Sequence, residues 1–297
     1  MKNEAFKYSI ANGVWINDLR NEPVPNQEWP CITLDRQSVN DIKDNIKFQA
    51  KNGFNSLTLF GLLTADSWLP KITETIDEER KNAVKEILNF AKNQGVKIFY
   101  GLGVYSWGFG KIIEHDPTIR ATNNKVMCAS CDKSFEWMKQ VINYIINEYD
   151  FDCFHLEAAD LGRCFCINCA TKSDSEYFCE INTKTAQYIS NNNPNTTLIV
   201  SLCGYLSKGM TVPKEEWKFY QEMSKYIDCL IDPGHFGTFI PLDQRKEFIK
   251  TLDCEFGSGS GIWLYPPSSW ERLKYFIPYT MRAGKYLEEL YKDGGRG

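Results

Sequence analysis

The chain predicts an α/β fold, a single-domain (β/α)8 TIM barrel spanning residues 1–297 whose last β/α unit is missing or modified. Three observations predict it. Short β-like runs alternate with amphipathic helical patterns from about residue 30 onward, the signature of parallel strands joined by crossover helices. The helix-to-strand turns are short, while the segments after the third and fourth strands, Val104–Asp132 and Ala158–Ser173, are long, as in a barrel that builds its working face from strand-to-helix loops. Carboxylates close several strand-like runs, the position at which such a barrel keeps its chemistry.

Strands are expected at Ile32–Leu34, Ser56–Phe60, Lys97–Leu102, Asp152–Glu157, Thr197–Leu202, Cys229–Asp232 and Cys254–Phe256, with Gly261–Tyr265 as an eighth strand or an extension of the seventh. Helices are expected at Ser38–Asn52, Asp77–Asn93, Lys133–Tyr149, Asp174–Ser190, Pro213–Tyr226, Leu242–Thr251 and Ser269–Tyr291. In Lys133–Tyr149 the apolar Met138, Val141, Ile142, Ile145 and Ile146 recur at intervals of three and four, one stripe facing a sheet. Gly95 stops a helix and Val96-Lys-Ile-Phe-Tyr100 begins a strand at once; Gly53 repeats the device. No Gly-x-Gly-x-x-Gly turn follows the first strand, so a closed barrel is preferred over a dinucleotide-binding open sheet. The region around Gly13-Val-Trp-Ile16 is the alternative source of a closing strand.

Composition is that of an ordinary globular domain, with 43% hydrophobic and 24% charged residues. A net charge of −4 gives no electrostatic basis for nucleic-acid binding. No window reaches the roughly 18 apolar residues that suggest a membrane span, and the N-terminus lacks the apolar core of a signal peptide, so a cytoplasmic protein is expected. Homo-oligomerisation is left open. Eleven cysteines in a reducing compartment point to buried thiols or a metal rather than disulfides.

Cleaving a glycosidic bond takes two carboxyl groups, one to protonate the leaving oxygen and one to act as nucleophile or to activate water. Glu157, ending the fourth strand, is the first candidate for the acid/base. Glu255, Asp232 and Asp160 are candidates for its partner, Asp160 also for holding a substrate amide or hydroxyl. Tyr105, Trp107, Tyr205, Trp263 and Tyr265 follow strand runs and are candidates to stack on a sugar; His155 and His235 are candidates to bind its hydroxyls. No His-Glu-x-x-His pair, Gly-x-Ser-x-Gly elbow or phosphate-binding glycine loop is present.

Cys164-x-Cys166-x2-Cys169, with Cys128-x2-Cys131 in the preceding long loop, offers five thiolates where tetrahedral zinc needs four. A structural zinc is therefore expected to brace the loops beside the working face without entering the chemistry. A glutamate ending strand four followed by Cys-x-Cys-x2-Cys, with a further cysteine from the previous loop, resembles the zinc-bearing β-galactosidases of glycoside hydrolase family 42. The resemblance implies a retaining barrel glycosidase in which Glu157 matches the acid/base and Glu255 the strand-seven nucleophile. That family has Asn-Glu where this chain has Leu156-Glu157, and the glutamate-to-cysteine spacing differs. The segment Asp160–Cys169 is also similar to uncharacterised barrel proteins related to α-glucuronidases and N-glycan-cleaving hexosaminidases. The expectation is a carbohydrate hydrolase; the rival is a non-catalytic carbohydrate-binding barrel.

Overall fold

The computed structural model describes residues 6–15, 34–64, 67–157, 161–202, 211–232, 239–258 and 280–297. Seven parallel strands form one sheet in sequence order: β1 (Ile10–Trp15), β2 (Ser56–Phe60), β3 (Lys97–Gly103), β4 (Cys153–Glu157), β5 (Thr197–Ser201), β6 (Cys229–Asp232) and β7 (Glu255–Ser258). Consecutive neighbours joined by helices are the barrel topology that the alternation predicts. The helices are α1 (Arg36–Lys51), α2 (Glu78–Asn93), α3 (Gly110–His115), α4 (Asp132–Glu148), α5 (Asp174–Asn192), α6 (Trp217–Ser224), α7 (Leu242–Ile249) and α8 (Thr280–Asp293). Three begin at side-chain caps, with Asp35, Asp77 and Ser173 accepting from the backbone N–H of Ser38, Arg80 and Glu176.

Two expectations at the edges change. The first strand is Ile10–Trp15, which pairs with β2 from Ile10↔Ser56 onward. Leu34, expected to end that strand, lies outside any strand and just ahead of α1; the rest of Ile32–Leu34 falls outside the described residues, as does Gly261–Tyr265. The last residues of the chain take the place beside β7. Arg296 N–H donates to Phe256 O at 2.8 Å, Ser258 N–H donates to Gly297 O at 3.3 Å, and Tyr8 N–H donates to Arg296 O at 3.2 Å. The tail thus links β7 to the residues leading into β1. The approach demands glycine: a Cβ on Gly257 would stand 2.8 Å from the Gly297 backbone. The segment Val104–Asp132, read as one long loop, also contains the short helix α3.

Side chains alternate across each strand, which divides the core in two. Leu57, Leu59, Leu102, Phe154, Leu156, Leu198, Val200, Leu230 and Phe256 face the helices in the larger core. Phe99, Cys153, Ile199, Cys229 and Ile231 fill the barrel interior, with Tyr8 and Ile10 packed against them. Among the described residues no helix is long and apolar enough to cross a membrane.

Candidate active face and cysteine cluster

Glu157 is the last residue of β4, half-buried, and pairs in register with Gly103 on one side and Ser201 on the other. It shares the inward parity of Cys153 and His155, which puts it at the C-terminal mouth of the barrel. Two glycines shape the wall beside it. A Cβ on Gly101 would lie 2.3 Å from the Phe60 ring, and one on Gly103 would lie 2.9 Å from Trp107 Cβ. Their bare backbones let Phe60 enter the barrel and Trp107 fold over the strand end. The two rings meet edge to face at 6.1 Å. Together with Gly61, Thr64 and Trp68 they line a small cleft of about 20 Å³, room for about one water.

The other candidate carboxylates do not gather there. Glu255 is the first residue of β7, not its end; it lies at the N-terminal side of the sheet, 3.7 Å from Lys7 Nζ. The expectation that it faces Glu157 as nucleophile is therefore overturned, because the strand begins where the sequence run was taken to finish. Asp232 does end β6, but its parity is that of the helix-facing Leu230. It is 1% exposed, and its Oδ2 accepts from Ile240 N–H at 3.2 Å, so it ties down the β6–α7 connection. Asp160, Tyr205, His235, Trp263 and Tyr265 lie outside the described residues.

Two expected sugar contacts are corrected. His155 is fully buried, two residues below Glu157 on the same inward face. Its Nδ1 lies 3.2 Å from Thr58 Oγ1 and its Nε2 lies 2.5 Å from Ser201 Oγ. Burial drives its pKa down from 6.5 to about 3, so the ring is neutral near physiological pH. Tyr105 is 1% exposed with φ at +62°, and its hydroxyl pKa is raised, first by burial and then by the nearby Tyr177. Neither side chain opens to the mouth. Trp107 remains half-buried at the rim. Sequence reading missed Phe60, Thr58 and Ser201 as parts of this face; the Gly-Leu-Gly of β3 was the available signal, since glycine inside a strand often marks a close approach.

The cysteines converge behind this face. Cys128, Cys164, Cys166 and Cys169 place all four sulfurs within 4.8 Å of one another. Cys128 Sγ stands 3.7 Å from Cys166 Sγ and 3.9 Å from Cys169 Sγ, close to the roughly 3.8 Å edge of a tetrahedron with metal–sulfur bonds of about 2.3 Å. The four are close enough to hold a metal. Cys131, the fifth expected ligand, lies outside this group and caps α4. Ser130 Oγ lies 3.1 Å from Cys128 Sγ and 3.3 Å from Cys166 Sγ. That hydroxyl is the largest influence holding the Cys166 thiol down to about 6, whereas burial pushes Cys128 up to about 12.

The same two loops are stitched further. Asn123 Nδ2 donates to Leu161 O at 2.8 Å, and Phe165 N–H donates to Thr122 Oγ1 at 2.9 Å. Arg163, 6% exposed, pairs with Asp174 at 2.9 Å, donates to Lys172 O at 2.9 Å, and lies over the Phe165 and Tyr177 rings.

Neither a family model nor a curated protein matches the chain. Solved structures match its fold. A β-N-acetylhexosaminidase matches with a TM-score of 0.56 at 13% identity, covering 87% of this chain and 62% of that one. An endo-1,4-β-D-mannanase from Thermotoga petrophila RKU-1 gives 0.53 at 14%, covering 86% and 82%. An α-amylase from Geobacillus thermoleovorans, complexed with acarbose, gives 0.51 at 12%, covering 82% and 59%. The chain thus spans about three fifths of the length of the hexosaminidase and of the amylase. What the seven ordered strands and these likenesses establish together is the fold, a TIM-type barrel of the kind found in these glycosidases.

Proposed function

We propose that the chain is a carbohydrate-active barrel that hydrolyses a glycosidic bond with Glu157 as general acid/base. The observation that carries this reading is the position of Glu157 at the C-terminal mouth of the barrel, beside an aromatic wall of Phe60 and Trp107 made possible by Gly101 and Gly103. A carboxyl at the strand end beside aromatic rings is placed to reach the leaving oxygen of a sugar held against them. Trp107 offers a ring face or edge to a sugar. With Glu255 and Asp232 placed elsewhere, the second carboxyl in this reading is Asp160, three residues beyond Glu157. It would orient or polarise a substrate amide or hydroxyl, which favours an N-acetylated sugar and a route in which the substrate's own carbonyl takes part.

The cysteine cluster completes the proposal as a structural zinc site formed by Cys128, Cys164, Cys166 and Cys169. Four thiolates at tetrahedral spacing suit a single soft ion, and a polynuclear iron–sulfur cluster would need its cysteines further apart. Bound there, the ion would brace the two loops behind the mouth, and with four sulfur ligands it keeps no open position for substrate.

The test is release of nitrophenol from aryl glycosides, N-acetylglucosaminides, galactosides and glucuronides among them, by wild type and Glu157→Gln. Turnover that falls by at least about a hundredfold in the variant is the expected result. One observation favours a second reading, a non-catalytic carbohydrate-binding barrel: among the described residues, Glu157 is the one nominated carboxylate at the mouth. Binding of a sugar without turnover of any glycoside would select it.

A further inference from the structure

We propose that Thr58, His155 and Ser201 form a hydrogen-bonded positioning chain that sets the Glu157 carboxyl from inside the barrel. The proposal rests on reading Glu157 as the working acid. Barrel interiors are ordinarily filled by bulky apolar side chains. Here the inner core is apolar at Phe99, Cys153, Ile199, Cys229 and Ile231, and the polar Thr58, His155 and Ser201 are buried on the same inward faces of β2, β4 and β5. Thr58 from β2, His155 from β4 and Ser201 from β5 are 0%, 0% and 3% exposed, so each polar group has been taken out of water. Such burial costs free energy unless it is compensated by hydrogen bonds, and the three residues compensate one another.

The connectivity gives the layer a direction. A neutral imidazole donates from one nitrogen and accepts at the other, while hydroxyls serve either role, so Thr58 Oγ1, His155 Nδ1, His155 Nε2 and Ser201 Oγ make one continuous chain. Its far end, Ser201, is the register partner of Glu157 and shares its inward parity. Its other side is sealed by the Phe60 ring, 5.5 Å from the imidazole, which occupies the space that Gly101 leaves. Ser201 is thereby fixed in orientation by a residue that cannot itself move toward solvent. Thr58, His155 and Ser201 act as positioning residues, through Glu157.

The experiment compares wild type, Ser201→Ala, Ser201→Thr and Thr58→Val, each checked for folding by circular dichroism. Two quantities are read: kcat and KM on the best aryl glycoside, and the 13C carboxyl resonance of Glu157, assigned by its loss in Glu157→Gln. In Ser201→Ala, kcat should fall by about tenfold to a hundredfold with KM nearly unchanged, and the resonance should move. Ser201→Thr, which restores a hydroxyl, should recover both, and Thr58→Val should shift both in the direction of Ser201→Ala. A Glu157 resonance that stays at its wild-type position in folded Ser201→Ala and Thr58→Val would overturn the proposal, leaving the layer as satisfied core. If wild type turns over no glycoside, the hydrolase reading fails separately, while the resonance still decides the positioning role.

Discussion

At the scale of single residues, His155 shows how burial turns a titratable group into a stability term. Its folded pKa is near 3, against 6.5 for an exposed ring, with desolvation as the cause. Between those values the unfolded chain holds the proton that the folded chain does not, so stability rises with pH across this window and is lost on acidification. The slope from this one residue is at most about 1.4 kcal/mol per pH unit. Urea unfolding at about pH 7 and about pH 4.5 should show a steeper acid loss for wild type than for His155→Gln. Equal slopes would mean that the ring is protonated in the fold. The same burial explains why His155, legible in the sequence as a polar residue on a strand, is no sugar contact.

At the scale of elements, strand β3 and the paired loops after β3 and β4 carry the specific demands. A methyl group at Gly101 would overlap the Phe60 ring, which is confined inside the barrel. Gly101→Ala should therefore cost about 1–3 kcal/mol in urea unfolding, the usual range for overpacking a filled core. A variant as stable as wild type would show that Phe60 has room to retreat. In the loops, the sulfur geometry separates four cysteines from the fifth. Cys131→Ser should keep a full equivalent of zinc by elemental analysis, whereas Cys164→Ser and Cys166→Ser should lose most of it. Retention by all three would exclude the proposed ligand set. Acid should release the metal from wild type, because protons compete with it for the thiolates.

At the scale of the whole molecule, β7 and the residues before β1 are joined through the tail. Arg296 donates to β7 and accepts from Tyr8, and Gly257 and Gly297 lie too close for side chains on either. Arg245 adds a buried ion pair to this corner, joining α7 to Asp293 at the end of α8 at 2.7 Å. Gly257→Ala should lower stability by about 1–3 kcal/mol by pushing the tail off the sheet. Amide exchange of Tyr8, Arg296 and Ser258 should quicken in the same variant. Unchanged exchange would show that the tail contributes little to the closure.

The alternation of strand and helix, the helix caps, the place of Glu157 at the end of β4 and the clustering of cysteines could all be read from the sequence, because each depends on residues close together in the chain. Periodicity and capping are local, and Cys164, Cys166 and Cys169 share one loop. Which residues complete each group was decided only by tertiary structure. Glu255 and Asp232 both looked like strand-end carboxylates, yet strand start in one case and side-chain parity in the other turned them away from the mouth. One residue of offset reverses the face of a strand residue, and composition carries no trace of it. Cys131 and Cys128 are equally near in sequence to a zinc ligand pair, but the turn between them brings only Cys128 to the other sulfurs. The sequence by itself determined that this is a barrel with an acid at its rim and thiols beside it; the packing of β2, β4 and β5 determined that Thr58 and His155 meet inside the barrel and that Ser201 stands beside that acid, because those contacts join residues up to 97 positions apart.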